Sequence, residues 1–508
     1  MPPPVNAAAA ADTRSGDVPF ERAVKWAFVM NWGQQAIGAL LTFVLGARVG
    51  LPEFGTASTA AVYILFIQMA LEGFATAIIQ RQHLKPEHLH SSFWMVLLLS
   101  LGLTGVGVGL SDWWASVCKD ASPSLGPVIR VLSLSIPIRG LTIVQQAVLQ
   151  RRMDFKRLAL RSNVSVSVGG LCGVVLAFSG FGAWALVAQQ LCTDAIALLL
   201  LWTVSDWRPR LAFSWSHMRE LFSFSLGTFL GNIGVFAGNR LDSLLIPLYF
   251  GPGAQALYKM ADRLTQVVLE FVTRSLQSVS LSQFARLQDD PPRLRTSVLN
   301  TMRMSATASI PAMIAIAATG RYLLRLMGKD WVAGSIALQI FCVVGIARAV
   351  QVFIGPLLQA RGRPHLLAML IWIHAGLNAA GFLLAAHWCR NLGTATQITW
   401  MASVRVLVTG LLFVPICWRI MSAVCGAPIQ SLFLAVLPSL ASGAAIAAVV
   451  SAIVATGWLA DLPAWAALMA TVPAGGLAGV AVLLKLDPQV GEVIGRELRK
   501  LLRLRVAT

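Results

Sequence analysis

The chain has 508 residues, 56% of them hydrophobic and 12% charged, with a formal net charge of +18. Soluble domains carry about 25% charged and about 45–50% apolar residues, so this composition excludes a soluble enzyme and a disordered scaffold. Apolar runs of about 20 residues recur along nearly the whole length, which is the pattern of a polytopic membrane protein.

In chain order, residues 1–20 are rich in Pro and Ala and read as a disordered cytoplasmic tail, without the short apolar core of a signal peptide. Apolar windows then predict about fourteen helices, near 24–47, 57–79, 92–110, 127–149, 162–180, 183–204, 221–249, 255–281, 299–319, 334–359, 367–386, 395–417, 431–456 and 464–485. The seventh and eighth are long and unusually polar for lipid. The resulting organisation is a first lobe over 21–204, a cytoplasmic linker over 205–220, a second lobe over 221–420, two further helices within 431–486 and a basic tail over 487–508.

Lysines and arginines set the orientation. With the N-terminus inside, about 25 fall in inner segments, including Arg151, Arg152, Lys156, Arg157, Arg161, Arg208 and the tail from Lys485 to Arg505. About six fall outside, namely Arg48, Lys119, Arg321, Arg325, Lys329 and Arg390. That bias places both termini in the cytoplasm. The tail from Arg496 to Arg505, with Leu at 498, 501, 502 and 504, reads as an amphipathic helix against membrane lipids. The longest outer loop, about Ser111 to Gly126, holds no paired carboxylates at catalytic spacing.

Other charges fall inside the spans. The first span offers Asn31, Gln34 and Gln35, the second Gln68 and Glu72, and the fourth Arg139 and Gln146. The seventh holds Asn239, Arg240 and Asp242, and the ninth, tenth and twelfth add Arg303, Arg348 and Arg405. The eighth carries Lys259, Asp262, Arg263, Glu270 and Arg274. At 100° per residue, 259, 263, 270 and 274 lie within about 60° of one another. An Arg, Lys or Asp at the centre of a span costs about 2.5–3.5 kcal/mol, so this stripe must face protein or a wet cavity. Arg240, Asp242, Lys259, Arg263, Arg274, Arg139, Arg348 and Gln34 are therefore candidates to bind substrate. Glu72, Asp262 and Glu270 are candidates for gating or for coupling to H⁺ or Na⁺. The competing reading is internal pairing, as structural ties or gate bridges. Arginine outnumbers lysine in the set, and its fork suits phosphate oxygens, so a pyrophosphate or an acidic sugar is the natural ligand.

Two matches suggest a repeat. Arg139 and Gln150 map onto Arg348 and Gln359 at an offset of 209, and the run Gly50 to Gly55 maps onto Gly251 to Ala256 at an offset of 201. A parallel repeat of helices 1–6 and 7–12 around a central cationic cavity is the architecture expected of a transporter working by alternating access. Chance similarity between greasy segments is the alternative. The seven cysteines are scattered singly, with no C-x-x-C pair and no histidine cluster. No metal, cofactor or nucleic acid is expected, and no phosphate-binding Gly-rich motif is present to hold ATP.

Several runs carry a family likeness. They are Leu45-Gly46-Ala47-Arg48 with Glu53-Phe54-Gly55, Glu72-Gly73-Phe74 with Ala77 to Arg81, Gln150 to Lys156, Arg240-Leu241-Asp242, Phe250 to Gly253 with Leu257 to Arg263, and Phe284 to Asp290. In order and spacing, over roughly residues 20–420, the chain resembles the Wzx-type polysaccharide flippases of the multidrug/oligosaccharidyl-lipid/polysaccharide exporter superfamily, in the colanic acid, teichuronic acid and xanthan branch. The resemblance implies two six-helix lobes in the cytoplasmic (inner) membrane. It also implies movement of undecaprenyl-diphosphate-linked oligosaccharide repeat units, with the polymerase and glycosyltransferases of the pathway as partners. A lipid II flippase and a multidrug antiporter of the same superfamily are the alternative transporters. From another class, the alternative is a membrane polymerase or glycosyltransferase.

Overall fold

The computed structural model describes residues 20–80, 85–459 and 462–487. The N-terminal tail up to residue 19, the stretch 81–84 and the basic tail beyond residue 487 lie outside the described residues. Among the described residues every regular element is helical. In hydrocarbon each backbone N–H and C=O needs an internal partner, and a helix supplies one within a single segment.

The helices are α1 (Phe20–Val49), α2 (Leu51–Gln80), α3 (Pro86–Gly109), α4 (Ser111–Val117), α5 (Leu125–Leu132), α6 (Ser135–Arg151), α7 (Phe155–Phe178) and α8 (Ala183–Val204). There follow α9 (Trp215–Arg286), α10 (Pro291–Met327), α11 (Ser335–Gln351), α12 (Ile354–Ala360), α13 (Pro364–Cys389) and α14 (Thr394–Arg405). The chain ends in α15 (Val414–Cys425), α16 (Ile429–Ala455) and α17 (Ala464–Leu486). A 3₁₀ turn (Lys329–Gly334) precedes α11, and a π-helical segment (Val406–Phe413) joins α14 to α15.

Twelve helical segments of the described residues are long and apolar enough to cross a membrane. They coincide with every expected span except the seventh and eighth. Those two are the arms of α9, a 72-residue helix interrupted at Gly251 between Pro247 and Pro252. The arms are helical, but Arg240 and Asp242 on the first and the charged stripe on the second keep them outside the twelve. Local differences from the expected spans have physical causes. The fourth span tightens after Leu132, where the Leu134 N–H reaches back to the Val131 carbonyl at 3.2 Å and the Ile136 N–H to the Ser133 carbonyl at 3.0 Å, three-residue steps that separate α5 from α6. The expected outer loop from Ser111 contains α4, where Trp114 is buried and stacks on Tyr63 at 5.2 Å.

The chain divides into two compact units. One takes residues up to 45, 60–117 and 122–233; the other takes 46–59, 118–121 and 234 onward. The division at 233 falls inside α9, beyond the 205–220 linker. That linker is held along the start of α3: Trp94 Nε1 donates to the Arg210 carbonyl at 2.8 Å, and the Arg210 N–H donates to His90 Nδ1 at 3.0 Å. In the first unit α7 and α8 pack closely because glycines line their seam. A Cβ at Gly169 would meet Thr193 Oγ1 at 2.0 Å, and one at Gly173 would meet Gln189 Cβ at 2.7 Å.

The second unit contains both turns of the 201-residue match. Gly50 and Gly251 share a left-handed backbone, with φ of +85° and +86°, which L side chains avoid. The turns abut, since a Cβ on Gly55 would lie 2.1 Å from the Pro252 carbonyl oxygen. Phe54 packs edge-on against the buried Trp331 at 5.5 Å beside them. At the end of α17, the fully buried Asp487 pairs with Arg303 of α10 at 2.7 Å, fixing the last span against the unit. Arg303, one of the intramembrane arginines, is thus engaged in a structural tie.

Candidate functional site

Each unit carries its own polar cavity. In the first unit the cavity measures about 660 Å³ and is walled by α1, α2, α6, α7 and α8. That volume falls within the range of about 300–1,000 Å³ usual for small-molecule sites. Gln34 and Glu72 line it, and so does Arg139. The Arg139 Nε sits 3.4 Å from Asp194 Oδ1, and Gln190 Nε2 donates to Asp194 Oδ2 at 2.9 Å. Arg161 also lines this cavity, and its Nη1 donates to Gln146 Oε1 at 2.9 Å. The inner-loop position expected for Arg161 is therefore corrected: two turns into α7, its guanidinium turns to α6. Asp194, Gln190 and Arg161 were not among the candidate binders. A lone carboxylate in the apolar sixth span was a usable signal for Asp194, because such a group in lipid needs a partner.

The second unit's cavity measures about 350 Å³ and lies between α9 and α11. Arg240, Glu270 and Arg348 line it with Asn239, Gln266 and Gln351. Arg348 Nη2 donates to Asn239 Oδ1 at 2.7 Å. Asp262 stands behind this wall, buried, 3.9 Å from Arg240 Nη1 and accepting from Gln266 Nε2 at 2.6 Å. Arg139 and Arg348, matched by the 209-residue offset, thus each face the cavity of their own unit.

Asp242 plays a different part. It is fully buried, and Arg405 of α14 grips it with Nε at 2.7 Å and Nη2 at 2.6 Å. The Tyr258 hydroxyl and the Ser243 N–H also donate to Asp242, and Arg405 Nη2 donates to the Asn239 carbonyl at 2.6 Å. Phe341 and Phe382 flank the guanidinium at 5.8 and 5.9 Å. With both carboxylate oxygens engaged and no place in the lining of either cavity, Asp242 has the geometry of an internal tie. Lys259 and Arg263 are partly exposed on the second arm of α9 and do not line either cavity. The side chain of Arg274 lies outside the described residues. Among the described residues no group of three or more His, Cys, Asp or Glu side chains is placed to hold a metal.

The family model described as "Polysaccharide biosynthesis protein" matches residues 47–335, more than half of the chain. The chain belongs to this family. Curated relatives include the succinoglycan biosynthesis transport protein ExoT of Rhizobium meliloti, 27% identical over 61% of the chain and 63% of the relative. The lipopolysaccharide biosynthesis protein WzxC of Escherichia coli is 24% identical over 67% and 69%, and the teichuronic acid biosynthesis protein TuaB of Bacillus subtilis 23% over 76% and 80%. The chain therefore spans a little under two thirds of ExoT. Among solved structures, the lipid II flippase MurJ superposes with a TM-score of 0.69 at 14% identity, covering 92% of the chain and 97% of MurJ. A multidrug resistance MATE family transporter of the MOP superfamily gives 0.61 at 15% identity, covering 77% and 95%. These likenesses establish the fold, an all-helical, multi-pass membrane architecture.

Proposed function

We propose that this member of the polysaccharide biosynthesis family is a flippase. It would carry undecaprenyl-diphosphate-linked oligosaccharide repeat units from the inner to the outer leaflet of the cytoplasmic membrane. The observation that carries this reading is the pair Arg240 and Arg348 on a cavity wall within a helical unit otherwise fit for lipid. Arg240 has Asp262 behind it at 3.9 Å, whereas Arg348 bonds the neutral Asn239. An arginine so placed is costly unless it meets an anion, and a diphosphate accepts its forked donors. The relatives named for succinoglycan transport and for lipopolysaccharide and teichuronic acid biosynthesis support a sugar-bearing cargo. The prenyl tail stays in lipid while the headgroup passes through protein, and both termini face the cytoplasm. No chemical step is assigned to the chain, and the polymerase and glycosyltransferases of the pathway act on its cargo before and after transfer.

Arg348→Ala and Arg240→Ala test the reading. A charge-assisted hydrogen bond contributes about 1.5–3 kcal/mol, so each variant is expected to lower surface polymer about tenfold or more. The amount of chain in the membrane should stay at the parental level. Polymer production at the parental level in both variants would defeat the basic-cavity mechanism.

A further inference from the structure

The two cavities differ in charge. The second unit's wall sets two arginines, 240 and 348, against one carboxylate, Glu270, while the Asp262 behind it, 3.9 Å from Arg240, is matched by Lys259 on the same arm. The first unit's wall sets Arg139 and Arg161 against Glu72 and Asp194, an even balance. A cavity without net charge does not select an anion. We propose that the first unit's cavity is a subsite for the uncharged, hydroxyl-rich sugar rings of the cargo, read by Gln146 and Gln190. This inference rests on the flippase reading and deepens it.

The charged side chains there serve to orient neutral amides. An ionised carboxylate only accepts hydrogen bonds, so Asp194 compels Gln190 to offer its NH₂ and leaves the Gln190 carbonyl oxygen to the cavity. A guanidinium only donates, so Arg161 compels Gln146 to offer its oxygen and leaves the Gln146 NH₂ to the cavity. The wall thus presents one fixed acceptor and one fixed donor. A sugar hydroxyl both donates and accepts, so it satisfies this pair, whereas a phosphate oxygen satisfies only the donor. Arg139 is held by Asp194 at 3.4 Å and is compensated in place. Gln34, Gln68, Thr142 and Ser162 extend the same neutral chemistry around the wall. No aromatic ring stands among the described lining residues, so the hold lacks ring stacking and permits release.

The test uses the full chain in lipid nanodiscs with two probes. One is undecaprenyl diphosphate, and the other is the lipid-linked oligosaccharide extracted from cells that lack the chain. The parental chain is expected to bind the second probe more tightly than the first. Gln146→Leu and Gln190→Leu should each weaken the oligosaccharide-bearing probe about three- to tenfold, the range set by loss of one neutral hydrogen bond. Neither should change binding of undecaprenyl diphosphate. Gln190→Asn, one methylene shorter, provides a gentler second variant and should weaken the sugar-bearing probe alone. Arg240→Ala combined with Arg348→Ala should weaken both probes. Equal affinity of the parental chain for the two probes would overturn the sugar subsite, and so would glutamine variants that affect both probes alike or neither. Failure of the parental chain to bind either probe would instead remove the flippase reading, and the subsite with it.

Discussion

Arg405→Ala is expected to lower the stability of the folded chain by about 3–5 kcal/mol, the cost of stranding one partner of a buried ion pair. Arg405 and Asp242 are 3% and 0% exposed, and Arg405 reaches Asp242 through two nitrogens at 2.7 and 2.6 Å. Without the guanidinium, Asp242 keeps only the Tyr258 hydroxyl and the Ser243 N–H and hydroxyl, and the Asn239 carbonyl loses a donor. Neither oxygen can turn to water. The double variant Asp242→Leu with Arg405→Leu should recover part of the loss, because it leaves no lone charge. Thermal unfolding in detergent, followed by size-exclusion chromatography, measures both. An unchanged midpoint for Arg405→Ala would show that the pair contributes nothing, and Asp242 would return to the candidates for substrate contact.

Gly55→Val is expected to force apart the two matched turns of the second unit. Its Cβ would sit 2.1 Å from the Pro252 carbonyl oxygen and 2.6 Å from the carbonyl carbon, both backbone atoms with no rotamer to yield. Overpacking of this kind costs about 1–3 kcal/mol, and more where the backbone itself must shift. Gly251→Ala should fall in the same class, since it combines a φ of +86° with a contact at 2.7 Å to the Lys119 carbonyl oxygen. Gly50→Ala meets no atom within 4 Å but must hold a φ of +85°, at a cost of about 1–2 kcal/mol. Gly253→Ala meets only Leu51 Cδ2 at 3.5 Å and should be tolerated. The order of unfolding midpoints among these four variants is the check. A Gly55→Val chain as stable as the Gly253→Ala chain would contradict the packing of the turns.

The spans were legible because lipid imposes one rule on the backbone, and length with hydropathy reads it directly. The arms of α9 were harder, since Arg240 and Asp242 on the first and the stripe from Lys259 to Glu270 on the second make them poor spans by composition while their protein neighbours make them good helices. Gly50 and Gly251 were legible as a match, and their shared φ gives that match a physical meaning. The break at Ser133, α4 and the π-helical segment were not, because each is fixed by what packs against it. The partners of charges were the least legible part of the site. Arg405 and Asp242 are 163 residues apart, and no spacing rule joins them. Arg161 shows the opposite error. A basic residue near a helix start reads as a topology anchor, and only the packing of α7 on α6 places it beside Gln146.

The central claim is translocation of a completed lipid-linked oligosaccharide. Its most direct test is the sidedness of that lipid in cells lacking the chain, read with a membrane-impermeant sugar-oxidising or lectin probe on intact and on opened cells. Complete repeat units confined to the cytoplasmic leaflet are the predicted result. Truncated units, or complete units already on the outer leaflet, would contradict the account and move the chain to synthesis or polymerisation.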